Sequence, residues 1–129
     1  MIDEEVKKRI IALCNKPVAL GGWLGLPYEQ DGCLKFAVKF YREMGIEATE
    51  EALKEARNFV KVTDPEFGDI VVFQNAPFAQ YHIGVMLDRF KAIQCGEVGL
   101  TNGVGKIRVG EYPFIIDLVK GFYRHRSCF

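Results

Sequence analysis

The chain has 129 residues, of which 49% are hydrophobic, and its 17 basic and 17 acidic side chains cancel. That length suits one domain with a true core, and that apolar content excludes a disordered chain. No basic block stands out, which argues against nucleic acid as a main partner, and no stretch is long enough to span a membrane.

From the N-terminus, Asp3 is placed to cap a first helix of about ten residues, with Ile2, Val6, Ile10 and Leu13 on one stripe. The apolar run from Ile10 to Cys14 is too short for the core of an export signal, and Asn15-Lys16-Pro17 ends it. Leu13 is too large for the position before a lipid-modified cysteine. Pro17 and Gly21-Gly22 close the helix. Trp23 lies in the loop beyond, where an indole either anchors packing or lines a groove. A second helix is expected from near Asp31 to Gly45, a good C-terminal stop. Leu34, Ala37, Val38 and Tyr41 form one stripe and Phe36, Phe40 and Met44 another. Only Lys35, Lys39, Arg42 and Glu43 are left for solvent, so this helix is central and buried. Thr49 caps a short third helix through about Arg57.

The period then becomes extended. Short strands are expected at 59–62 and 69–73, on either side of a turn at 64–68. A hairpin of 81–87 and 90–94 turns around Asp88-Arg89, and further strands cover 106–109 and 118–123. The run Tyr112-Pro113-Phe114-Ile115-Ile116 reads as core or contact surface. Helices first and strands after describe an α+β fold with an antiparallel sheet, in a single domain over residues 1–129.

The chemistry centres on Cys33, where a Gly/Pro/Asp-rich loop becomes the second helix. Unpaired N–H groups and the dipole at a helix start favour a thiolate. Such placement brings a thiol from about 8.5 to about 7 or below. A cysteine nucleophile needs a base and a third polar group that fixes the base's tautomer. Of the two histidines, His125 lies in the run Arg124-His125-Arg126 and reads as exposed. His82 starts a strand, and Gly84 leaves room beside its imidazole. Gln94 and Cys95 compete for the third position. A two-residue turn at Asp88-Arg89 would set Cys95 across from His82 and turn Gln94 away. A three- or five-residue loop centred on Asp88, or a bulge, sets Gln94 opposite His82. Gln94 is preferred, because an amide oxygen accepts an imidazole N–H and a thiol does so poorly. Taken singly, a cysteine like Cys33 is more often just a small buried residue and a histidine like His82 a core or surface imidazole. The four cysteines contain no C-x-x-C pair, so no metal site is expected, and they read as thiols in a reducing compartment.

The segments Gly25-Leu26-Pro27-Tyr28, Asp31-Gly32-Cys33-Leu34, Phe40-Tyr41-Arg42-Glu43-Met44-Gly45-Ile46, Phe67-Gly68-Asp69-Ile70-Val71-Val72-Phe73, His82-Ile83-Gly84-Val85-Met86-Leu87 and Ala92-Ile93-Gln94 follow one another as in NlpC-type cell-wall cysteine peptidases. Nearly the whole chain resembles that family, and Gly121-Phe122-Tyr123-Arg124 resembles the end of some phage-associated members. The resemblance implies a papain-like α+β fold with a cysteine opening a helix on an antiparallel sheet. It implies Cys33 as nucleophile, His82 as base and Gln94 as orienting residue. Tyr28 becomes a contact to substrate or intermediate, with Asp31 and Trp23 as further substrate-binding candidates. The implied reaction is cleavage of γ-D-glutamyl–diamino-acid bonds in peptidoglycan peptides, without metal or organic cofactor. Implied partners are that peptide and, in a phage setting, tail proteins. With no signal peptide read, the expected location is the cytoplasm or a phage virion.

Two departures stand out. Gly32 replaces the aspartate that usually precedes the cysteine, leaving Asp31 one position away. Leu34-Lys35 replaces the usual small residue and glycine, removing the serine that recognises a substrate amine. A non-catalytic assembly or binding module, and an acyltransferase, are the alternative functions on this fold.

Overall fold

The computed structural model describes residues 2–28, 32–74, 81–95, 105–111 and 119–129. Helix α1 (Glu4–Cys14) starts at Asp3, whose carboxylate accepts the N–H groups of Glu5 and Val6. Its buried side chains are Ile10 and Cys14, so the stripe reaches one residue further than expected. Burial pushes the Cys14 thiol up to about 12. After a 3-10 turn, Trp23 folds back and donates its N–H to the Leu13 carbonyl at 2.9 Å. Its indole is 4% exposed and packs edge-on to Phe36 and tilted to Phe40. Trp23 is therefore a core anchor, and the groove-lining expectation is corrected: the ring faces aromatic neighbours on α2.

Helix α2 (Gly32–Glu43) buries Leu34, Phe36, Ala37, Val38, Phe40 and Tyr41, as its double stripe requires, and Gly45 follows at φ 79°. Helix α3 (Glu50–Lys54), capped by Thr49, is shorter than expected. Ala56 (φ 53°) and Asn58 (φ 66°) turn the backbone left-handed and send it into the sheet.

The strands are β1 (Pro27–Tyr28), β2 (Phe59–Val62), β3 (Ile70–Phe73), β4 (His82–Met86), β5 (Lys91–Cys95), β6 (Gly105–Glu111) and β7 (Val119–His125). They form one sheet in the order β1-β6-β5-β4-β3-β7-β2, with antiparallel pairs throughout. This is the expected α+β fold. The two-residue β1 is an addition: it is too short to show a period, and it is defined only by its pairing with β6. Side chains alternate between faces. Ile70, Val85, Ile93 and Cys95 pack with Phe36, Phe40 and Tyr41 of α2. Val71, Met86 and Ala92 gather on the other face with Val119 and Phe122. Residues 75–80, between the expected strands at 69–73 and 81–87, lie outside the described residues. Residues 96–104 and 112–118, which include the run from Tyr112 to Ile116, lie outside the described residues.

Candidate active site

The β4–β5 hairpin sets the geometry. Val85 pairs with Ile93, Met86 with Ala92, and the Leu87 N–H donates to the Lys91 carbonyl at 2.8 Å. The loop is Asp88-Arg89-Phe90, held by the Asp88 carboxylate, which accepts from the Phe90 and Lys91 N–H groups. Its centre is Arg89 rather than Asp88. Continued along the strands, this register places Gln94 across from Gly84, diagonal to His82 instead of opposite it. The face is still shared, because shifting the centre by one residue preserves parity.

The diagonal is closed by a hydrogen bond: His82 Nε2–H donates to Gln94 Oε1 at 2.9 Å. Gly84 makes the diagonal passable. A Cβ there would stand 3.3 Å from the Ile93 carbonyl oxygen and 3.4 Å from both Gln94 Cβ and Val71 Cγ1. Gln94 is 9% exposed and His82 half-buried. The amide is thus fixed while the imidazole retains access to solvent.

Cys33 is the second residue of α2 and is half-buried against the α2 side of the core. Its neighbour Gly32 is pressed from two sides, since a Cβ at 32 would meet Tyr28 Cβ at 2.6 Å and Cys95 Sγ at 2.7 Å. An aspartate does not fit there, which gives the departure at Gly32 a steric cause. Burial pushes the Cys95 thiol up, with Cys33 adding to the effect. Burial also raises the Tyr28 phenol, with Cys95 adding. Tyr28, Gly32, Cys33 and Cys95 therefore form one cluster at the end of the sheet where β5 stops and β4 begins. Helix α2 packs on the face of Ile93 and Cys95, whereas Gly84 and Gln94 lie on the face of Val71. Any approach of the Cys33 sulfur to the imidazole runs over the rim of the sheet. Asp31 lies outside the described residues.

His125 is not the exposed residue expected. It is half-buried, with its ring 5.2 Å from Phe59 and 6.1 Å from Tyr41. Its Nδ1 hydrogen-bonds the Ser127 hydroxyl at 2.7 Å, and burial lowers its pKa.

The opposite end of the sheet holds a constellation that sequence reasoning missed. Asp69, 1% exposed, accepts Arg124 Nε at 2.9 Å, Arg124 Nη2 at 2.8 Å and the Glu66 N–H at 2.8 Å. The residues stand 55 positions apart, and no local spacing signals the pair. A cleft of about 530 Å³ lies beside it, lined in part by Lys7, Asp64, Glu66, Arg89 and Arg124. The hairpin tip that borders this cleft is roughly 17 Å along the strand from His82. Among the described residues, no cluster of His, Cys, Asp and Glu could hold a metal, and no helix is long and apolar enough to cross a membrane.

No protein-family model matches the chain, and no curated protein does. Among solved structures the chain is similar to a protein from Staphylococcus aureus subsp. aureus Mu50 described as similar to lipoprotein, NLP/P60 family. Identity is 20%, with a TM-score of 0.66 over 95% of this chain. The chain spans 42% of that protein's length. The likeness shows that this chain has the α+β fold of an NLP/P60 protein.

Proposed function

We propose that the protein is a cysteine hydrolase of amide bonds, acting on γ-D-glutamyl–diamino-acid links in bacterial cell-wall peptides. The observation that carries the reading is the His82–Gln94 hydrogen bond, made on β4 and β5, the strands whose other face packs against the helix that has Cys33 as its second residue. With Nε2–H donating to Gln94, Nδ1 is the nitrogen that takes the Cys33 proton, giving a thiolate–imidazolium pair. The thiolate attacks the amide carbonyl carbon. Backbone N–H groups of the first turn of α2, that of Cys33 included, stabilise the oxyanion. Nδ1–H then protonates the leaving amine. Water hydrolyses the thioester, returning the acid and the thiol. The fold likeness supports a cell-wall substrate, and in this reading Tyr28, packed with Gly32 at the start of α2, contacts it. The protein would work in the cytoplasm or, in a phage, beside tail proteins.

The test is hydrolysis of a γ-D-glutamyl–diamino-acid peptide by wild-type protein and by Cys33→Ala. Activity that survives the substitution sinks the assignment. One observation favours a second reading as a non-catalytic binding module. Leu34 is buried directly after Cys33 and offers no hydroxyl to a substrate amine. Peptide binding without turnover would support that reading.

A further inference from the structure

We propose that Cys95 is a positioning residue for Cys33: its sulfur, resting on the bare Cα of Gly32, sets how the first turn of α2 rides over the rim that carries His82 and Gln94. This rests on reading Cys33 as the nucleophile.

Both jaws of the clamp are fixed. Cys95 is 2% exposed and ends β5, paired with Ile107. Tyr28 is tied through β1 to Gly105 of β6, and its ring packs edge-on to Phe36 of α2 at 6.4 Å. The Tyr28 contact is made by Cβ, which moves only with its backbone. Gly32 therefore docks on β1 and β5 together, and Cys33, one residue on, inherits the placement. Contact distances for a Cβ at 32 are 2.6 and 2.7 Å. Carbon contacts settle near 3.5–4.0 Å, so any side chain at 32 lifts the turn by about 1 Å. A misplacement of that size costs roughly 10²-fold in rate.

The test follows alkylation of Cys33 by iodoacetamide against pH, read by peptide mass spectrometry, in wild type, Gly32→Ala, Cys95→Val and Cys95→Ser. It is run beside kcat and KM on the γ-D-glutamyl–diamino-acid peptide. Gly32→Ala and Cys95→Val, which puts two γ-carbons where one γ-sulfur makes the contact, are expected to raise the pH midpoint of alkylation. They also lower kcat by roughly 10²-fold with KM within about twofold, because the shift acts on geometry rather than on substrate contacts. Cys95→Ser keeps the atom count and recovers most of kcat. Where Gly32→Ala does not fold, the Val and Ser variants decide the matter by the same readouts. Midpoints and kcat values equal to wild type in the folded variants overturn the proposal. A wild-type Cys33 that titrates as an ordinary thiol and hydrolyses nothing overturns the nucleophile reading itself, so the two failures are distinguishable.

Discussion

The two ends of the sheet carry similar polar chemistry arranged in opposite ways. At one end the Asp69 carboxylate is sealed, with Arg124 meeting both oxygens and the Glu66 N–H adding a third bond. The Tyr41 hydroxyl closes the same region by donating to the Gly68 carbonyl at 2.6 Å. Both Asp69 oxygens are thus taken up within the protein. At the other end the His82 ring is half-buried and hydrogen-bonded to a neutral amide, Gln94, which fixes its tautomer. A carboxylate sealed by three hydrogen bonds rigidifies a fold, whereas a half-buried imidazole hydrogen-bonded to a neutral amide keeps an ionisable ring within reach of solvent. The cleft beside Asp69 does not reverse this contrast. Arg89 pairs with Asp64 at 2.8 Å, Arg124 with Asp69, and Lys7 stands over the Phe67 ring at 5.7 Å. Its cations are matched within the protein.

Substitution at each end should therefore give opposite phenotypes. Cys33→Ala is expected to lower kcat/KM on the peptide at least about 10³-fold, as loss of a covalent nucleophile does, with little change in the urea midpoint. Asp69→Ala leaves Arg124 facing the vacancy, and it should cost about 3–5 kcal/mol in urea unfolding while kcat per folded molecule stays at the wild-type value. Turnover lost in Asp69→Ala at unchanged stability would invert the comparison and move the chemistry to the other end.

The same contrast explains what the sequence could reveal. Helix α2 was legible because its apolar residues repeat at helical spacing over three turns and Gly45 stops it. The face shared by His82 and Gln94 was legible because strand parity survives an error of one residue in the loop centre. The diagonal itself was not, since it depends on Asp88 folding a three-residue loop through its own carboxylate. The Asp69–Arg124 pair and the clamp on Gly32 were illegible for a different reason. Each joins strands distant in sequence, and a lone aspartate, cysteine or glycine carries no periodic signal. Trp23 and His125 show the remaining gap: whether a loop indole packs or lines a groove, and whether a histidine between two arginines is exposed, is decided by aromatic side chains distant in sequence.

Gly84 sharpens the active end. In Gly84→Ala the new Cβ meets the Ile93 carbonyl at 3.3 Å, so a neighbour must give by a few tenths of an ångström. The Ile93 carbonyl and the Gln94 Cβ, at 3.4 Å, move only with the β5 backbone, so a shift of β5 carries Gln94 with it. The expected result is a stability loss of about 1 kcal/mol. It is accompanied by a fall of roughly threefold to tenfold in kcat, as Oε1 drifts from the imidazole. A fall in stability with kcat intact would mean that the Val71 side chain, and not the β5 backbone, absorbs the methyl group.

His125 offers the smallest and most discriminating contrast, one histidine at each end. Burial against Phe59 lowers its pKa from the ordinary 6.5. Above 6.5 the ring is neutral in both folded and unfolded chains and costs nothing. As pH falls from 6.5 towards the lower folded value, the unfolded chain binds the proton first, and stability declines. Below that value the loss is complete. Thermal unfolding at pH 7.5 and pH 5 should therefore show a smaller acid-induced drop in His125→Gln than in wild type. The difference should be about 1 °C, because the ring is only partly buried. His82 is present in both proteins, so its own titration cancels. Equal drops would mean that water reaches the His125 ring despite the aromatic stack. The end of the sheet that looks sealed at Asp69 would then be open two strands away, at β2, and the contrast with the His82 end would rest on Asp69 alone.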